Sequence, residues 1–213
     1  GIGQGGLGLD TRDYYLSDDE QNKRVLEAYK TYLKKLFVLT GYDEATAEKK
    51  MQAVLAIETR IAKASYDQVK LRDVAANYHK MSYMQLVNDF PGIDWGNVFL
   101  ASGFPAFDAI DVGQPEPIHE VEKILAETSL DDLKTYAEAK VISGASSQLS
   151  DDFRKVSFEF NSVLTGVKQD RPRWKRGVSL VSGVLGEVIG KLYVEKYFPE
   201  ENKKRMLELV HNL

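Results

Sequence analysis

The stretch Val25-Leu-Glu-Ala-Tyr-Lys-Thr-Tyr-Leu-Lys-Lys-Leu-Phe37 decides the fold. Val25, Leu26, Tyr29, Tyr32, Leu33, Leu36 and Phe37 return at steps of three and four residues, which lays them along one side of an α-helix. Upstream, Ser17-Asp-Asp-Glu20 reads as a capping box, with a serine oxygen on an orphan amide and a glutamate reaching back. Downstream, Gly41 predicts a left-handed helix stop, and Asp43 opens a second helix. The inner stripe of that helix runs Ala47, Met51, Val54, Leu55, Glu58, Ile61 and Ala62. The short connection from Thr40 to Asp43 predicts an antiparallel helical hairpin.

Helical signals continue outward from this pair. The periodicity weakens from Asp67 to Asn88, where Ser82-Tyr-Met-Gln85 reads as a second capping box ahead of a short helix, Tyr83 to Val87. Between Pro91 and Pro117 the composition changes: Pro91, Pro105, Pro115 and Pro117 fall here together with Gly92, Gly96, Gly103 and Gly113. Asp94 to Leu100 predicts one or two helical turns, and Phe107 to Val112 is the only plausible strand. Trp95, Phe99, Phe104 and Phe107 need burial, so this region is expected to fold back on the helical body. Helices resume from Pro117 to Ala126, from a Ser129 cap through Ala145, and from a Ser150 cap through Leu164. Pro172 suits the first turn of one long helix reaching Tyr197, and Pro199 starts the last. The expected fold is mostly α, an irregular multi-helix bundle in a single domain, 1–213. It carries one Gly/Pro-rich excursion around 91–117 and at most a minor β element.

The 213 residues are 43% hydrophobic and 28% charged, an ordinary globular balance. A chain of that size buries roughly 70% of its extended surface on folding, so a core needs neither disulfide nor metal. A net charge of -4 argues against nucleic acid as a partner. Zero Cys removes thiolate catalysis and Cys-based zinc sites. No basic-then-apolar leader and no apolar run of spanning length occurs, so this segment is expected to make no membrane contact. Gly1-Ile-Gly-Gln-Gly-Gly starts without a capped element, and the last residues stop inside a helical pattern. Both ends therefore read as cuts.

Zinc hydrolysis calls for H-E-x-x-H, two histidines on one helical face with a glutamate base between them. His119-Glu120-Val121-Glu122 comes nearest, but Lys123 stands where the second histidine belongs. His79 and His211 have no companion at ligand spacing, no G-x-S-x-G elbow occurs, and the glycines of Gly1 to Gly8 follow no strand. No catalytic residue, metal ligand or cofactor is therefore assigned to this segment. Arg171, Arg173, Lys175 and Arg176 surround Trp174, which reads as a tryptophan anchoring a helix start while basic stems lie along apolar surface. Positive charge in a first helical turn opposes the helix dipole, so acidic partners are expected nearby. Gly183, Gly186 and Gly190 form a stripe that predicts close approach of a second helix. A membrane packing motif is disfavoured because Glu187 and Lys191 interrupt the apolar run.

Four segments carry a family resemblance: Gly6-Leu-Gly-Leu-Asp-Thr-Arg-Asp-Tyr-Tyr-Leu16, Tyr78-His-Lys-Met-Ser82, Leu149-Ser-Asp-Asp-Phe153, and Arg171-Pro-Arg-Trp-Lys-Arg176 with Leu185-Gly-Glu and Leu192-Tyr-Val-Glu-Lys-Tyr-Phe198. In order and separation they span nearly the whole chain, and together they resemble the non-catalytic helical domain of neprilysin and endothelin-converting-enzyme type zinc endopeptidases. Animal members often carry a cysteine after the Trp-Lys-Arg run, where this chain has Gly177, so it looks more like a bacterial member.

The resemblance implies a two-lobed peptidase. A helical lobe shapes and gates an internal chamber for peptides, and a thermolysin-like C-terminal domain, expected downstream, holds the zinc in cis. It implies a periplasmic, cell-surface or secreted setting. In that frame Arg12 is a candidate for binding substrate carboxylates. The alternative is a structural cluster in which Arg12 pairs with Asp13 while Tyr14 and Tyr15 fasten the start of the first long helix. The rival from another class is a stand-alone helical scaffold or ligand-binding module.

Overall fold

The computed structural model describes residues 1–212, and they form two compact units, Gly1–Val167 and a second that begins at Lys168. The first is built on the two long helices. After a one-turn α1 (Asp13–Leu16), α2 (Glu20–Leu39) and α3 (Glu44–Ala64) pack together. Their apolar stripes meet as expected, with Val25, Tyr29, Leu33, Leu36 and Phe37 buried against Ala47, Met51 and Val54. Later α7 (Leu130–Ala145) and α8 (Asp151–Thr165) pack on the same pair, adding Ala139 and Phe160. Tyr32 and Phe160 stack with centroids 4.8 Å apart.

The caps are mostly those the sequence predicts. Asp43 accepts from the Thr46 amide, Ser129 from the Asp132 amide, and Ser82 with Gln85 closes a complete capping box. The start of α2 differs. Asp19, not Ser17, occupies the cap and accepts from the Gln21 and Asn22 amides. Ser17 instead accepts from the Asp19 amide at 3.1 Å, because it terminates α1. Ser150 takes the cap position of α8 without a side-chain bond.

The Gly/Pro-rich excursion packs around a second, smaller core. Strand β1 (Lys80–Ser82) leads into α4 (Tyr83–Asp89), α5 (Trp95–Ala101), β2 (Ala109–Asp111) and α6 (Pro115–Glu127). The two strands pair antiparallel with Met81 opposite Ile110. The N-terminus extends this edge: Ile2 bridges Val112 in parallel, its amide donating to Asp111 O at 2.8 Å. Leu86, Phe90, Trp95, Ile110, Val112 and Ile118 are buried, with Phe99 and Phe107 packed against them. Phe104 departs from expectation: it is 52% exposed, with its ring 5.8 Å from that of Phe99.

The second unit holds α9 (Arg173–Val184), α10 (Gly186–Tyr197) and α11 (Glu200–His211). One long helix from Pro172 to Tyr197 is not what forms. The chain leaves helical geometry at Leu185 (φ -115°, ψ 28°), and α10 turns 100° from α9. Gly183 and Gly186 flank the break; residues that weaken a helix interior also lower the cost of leaving it. Glu187 then sits in the first turn of α10, where the dipole favours it. No residue of the three helices is buried. Trp174 is 67% exposed, and a Cβ at Gly183, Gly186 or Gly190 would meet nothing within 4 Å. Within this unit, then, neither a tryptophan anchored in a core nor a close helix crossing is made.

Exposure of this kind sets the size of a mutational effect. Trp174→Ala should change the stability of the 213-residue chain by no more than about 0.5 kcal/mol in a urea melt. Leu33→Ala, emptying a fully packed site, should lose about 2–5 kcal/mol. A Trp174 loss as large as that of Leu33 would contradict the exposed placement.

Candidate functional site

On the inner face of α3 the apolar stripe is broken once, by Glu58, which is 0% exposed. A carboxylate there must be paired and hydrogen-bonded to be tolerated. Three helices supply the partners. Tyr15 of α1 donates to Oε2 at 2.9 Å, Tyr29 of α2 donates to Oε1 at 3.1 Å, and the Lys140 ammonium of α7 sits 2.5 Å from the same Oε1. Burial, then the Glu58 charge, drives the Tyr15 and Tyr29 phenols well above their ordinary range. Tyr136, one turn before Lys140, is pushed up to about 12 by the same two causes.

This anchor also holds the segment before α1. The Tyr15 oxygen accepts from the Gly8 amide at 3.1 Å and the Leu9 amide at 3.0 Å, and Tyr136 donates to Gly6 O at 2.5 Å. Gly6 has φ +87°, open chiefly to glycine. A Cβ on Gly8 would lie 1.8 Å from the Tyr29 hydroxyl and 3.0 Å from Glu58 Oε1. Gly6-Leu-Gly-Leu is thus the sequence that lets a backbone lie against a buried carboxylate cluster, with Leu9 filling the main core beside it.

Of the residues singled out in the first motif, Tyr15 belongs to this anchor and Tyr14 packs partly buried against the main core. Arg12 is partly buried and donates to Ser65 O at 2.5 Å. Asp13 is exposed in the first turn of α1, and no ion pair joins it to Arg12 among the described residues. Glu58 and Lys140 are what the sequence reading passed over. The signal was present, since Glu58 occupies a core position of the α3 stripe, where a charge needs a counterpart.

The residues nearest to a zinc motif are otherwise engaged. His119 Nδ1 lies 3.0 Å from Glu122 Oε2, with its ring 4.5 Å from that of Phe90. Glu120 accepts from Arg60 Nε at 2.8 Å. His79 Nδ1 meets Val112 O at 2.8 Å, joining the small sheet. Among the described residues no three His, Asp or Glu side chains converge as a metal-binding set. This donor set does not fit a zinc ion, and no step through one is derived for it.

The other distinctive surface is the second unit. Trp174, Val178, Val181, Val188, Leu192 and Tyr193 are all exposed. Contiguous apolar exposure of that sort marks an interaction surface. Among the described residues no single helix is long and apolar enough to cross a membrane, although α9 and α10, bent by 100°, together have that length and composition.

The anchor generates two predictions. Glu58→Ala, which strands Lys140, should lose about 3–5 kcal/mol in chemical denaturation, and Gly8→Ala about 1–3 kcal/mol through overpacking against Tyr29. A neutral Glu58→Ala would contradict the anchor. The second concerns alkaline pH. Tyr136 keeps its proton to about 12 when folded, whereas an unfolded tyrosine releases it near about 10. Its contribution to stability is therefore complete below the lower value and lost as pH rises to the higher one. Phenolate absorbance should show Tyr136 titrating late, and Glu58→Gln should bring it earlier.

Comparison with known proteins agrees with this architecture. A family model described as peptidase family M13 matches residues 1–213. Endothelin-converting enzyme 1 of Rattus norvegicus is 32% identical over 219 residues, covering 98% of this chain and 28% of the relative. Membrane metallo-endopeptidase-like 1 of Mus musculus is 26% identical over 228 residues, covering 100% and 29%. The cryo-EM structure of the Mycobacterium tuberculosis zinc metalloprotease Zmp1 in its open state superposes with a TM-score of 0.88 at 35% identity, covering 99% of this chain and 33% of that one. The crystal structure of the same protease in complex with inhibitor gives 0.90 at 34% identity, covering 98% and 32%. The chain spans under a third of the length of these relatives. The chain belongs to peptidase family M13 and corresponds to the helical N-terminal part of that family.

Proposed function

We propose that this chain is the wall and gate of a peptide chamber in a zinc endopeptidase whose catalytic domain lies on further polypeptide in cis. The observation that carries this reading is the second unit, three consecutive helices without one buried side chain and with Trp174, Leu192 and Tyr193 in the open. Apolar surface of that kind calls for a covering partner. A rival helical scaffold with its own small ligand would have no use for exposed Trp174, Leu192 and Tyr193 among the charged residues of these helices.

The division of labour follows from the residues. Zinc, if held by the catalytic domain, would supply Lewis-acid chemistry there rather than on this chain. This chain contributes shape: a rigid bundle that admits flexible peptides and keeps folded proteins away. Arg12, partly exposed and donating to Ser65 O, is the candidate for a peptide carboxylate. A periplasmic, cell-surface or secreted setting goes with this reading.

The purified 213-residue chain supplied with zinc should show neither peptidase activity nor stoichiometric metal. The full-length polypeptide should cleave short peptides and spare a folded protein containing the same sequence. Activity or bound zinc in the short chain, or indiscriminate cleavage by the long one, would overturn the proposal.

A further inference from the structure

The Gly6–Leu16 motif does two jobs, and only one is accounted for by the Glu58 anchor. Gly8 and Tyr15 serve that anchor. Asp10 and Tyr14, together with Gly8, line a cavity of about 560 Å³ bordered by α2, α7, α8 and this motif. That volume suits a ligand of a few residues. The cavity floor is a hydroxyl chain: the Tyr32 oxygen lies 3.0 Å from Ser143 Oγ and 3.1 Å from Ser146 Oγ, and Ser157 Oγ donates to Ser146 Oγ at 2.6 Å. Tyr32, Ser146 and Ser157 are all buried, so the floor is fixed in place. The Tyr32–Phe160 stack gives one apolar wall, and Leu164 adds to it. Asn161 and Ser147 stand exposed at the rim.

The charges of the cavity select among ligands. No Lys, Arg or His lines it, so a carboxylate or phosphate would find no cationic counterpart there. Asp10 is its single carboxylate. It is exposed and makes no hydrogen bond or ion pair among the described residues, unlike the buried Glu58. One unpaired carboxylate above a neutral hydroxyl floor and aromatic faces is an environment for an ammonium group with an apolar body attached.

We propose that this cavity is a subsite for the primary ammonium of a peptide, with Asp10 as its counter-charge and Tyr14, Asn161 and the hydroxyl floor as hydrogen-bonding partners. The inference rests on the reading of the chain as a chamber wall, and it names what part of a substrate that wall holds. The ammonium comes from a peptide amino terminus or from a lysine side chain. The site holds substrate away from the reacting bond and takes no part in its cleavage.

Binding to the intact 213-residue chain tests this without zinc or catalysis. The probes are the tripeptide amide Leu-Phe-Ala with a free amino terminus, its N-acetylated form, and N-acetylated Lys-Phe-Ala amide. Calorimetry should show acetylation of the first weakening binding by about tenfold or more, the scale of one lost charge-assisted contact. Backbone amide shifts on binding should centre on Asp10, Tyr14, Ser147 and Asn161. Asp10→Asn should abolish the preference for free amine while leaving the melting temperature unchanged, since the carboxylate has no structural partner to lose. Binding of the lysine probe with the same Asp10 dependence would assign the ammonium to a side chain and uphold the subsite. Equal binding of free and acetylated peptides, a preference that survives Asp10→Asn, or no binding at millimolar peptide would overturn it. Those failures leave the chamber-wall role untouched, because that role stands or falls on metal, activity and size selection in the longer polypeptide.

Discussion

A single carboxylate organises the larger unit of this chain. Glu58 is fully buried on α3, and its two oxygens draw together Tyr15 of α1, Tyr29 of α2 and Lys140 of α7. Removing a charge from water is strongly unfavourable, so such a group tolerates burial only with its partners in place. Those partners come from elements far apart in sequence, which means the carboxylate specifies how the elements meet. The same constraint reaches the backbone through Gly6 and Gly8, whose lack of side chains lets the segment before α1 pass directly over the cluster. The first family motif is then intelligible as geometry: two glycines for approach and a tyrosine for the bond.

Much of the helical framework was legible because local rules and tertiary packing agree there. The stripe from Val25 to Phe37 is the buried face of α2, Gly41 takes φ +103° after it, and the caps at Asp43, Ser82 and Ser129 are where residue type and spacing put them. The misreadings have physical sources. Ser17 and Asp19 both satisfy cap chemistry, and only the one-turn α1 decides between them. The break at Leu185 lies in a run whose apolar and glycine spacing suits a continuous helix and a bent one alike. Pairing of Lys80–Ser82 with Ala109–Asp111 joins segments separated by two short helices, which no local pattern reports.

The site was less legible than the fold. Glu58 was visible as a charged residue in an apolar stripe, but its partners could be found only by folding the chain. Asp10 and Tyr14 lie in a motif whose strongest signal, the glycines and Tyr15, belongs to the anchor, and their shared cavity depends on α7 and α8 arriving from over 120 residues away. The family was legible in four motifs, whereas only folding distinguishes Tyr15, held at Glu58, from Asp10, which has no side-chain partner among the described residues.

The account stands on the claim that the helices from Arg173 to His211 are covered by polypeptide beyond this chain. Hydrogen–deuterium exchange of those helices, measured in the 213-residue chain and again in the full-length polypeptide, reads that cover directly. The account predicts amides of α9, α10 and α11 that exchange at least about tenfold more slowly in the longer polypeptide, with little change across α2 and α3. Identical exchange of α9 to α11 in both would contradict it.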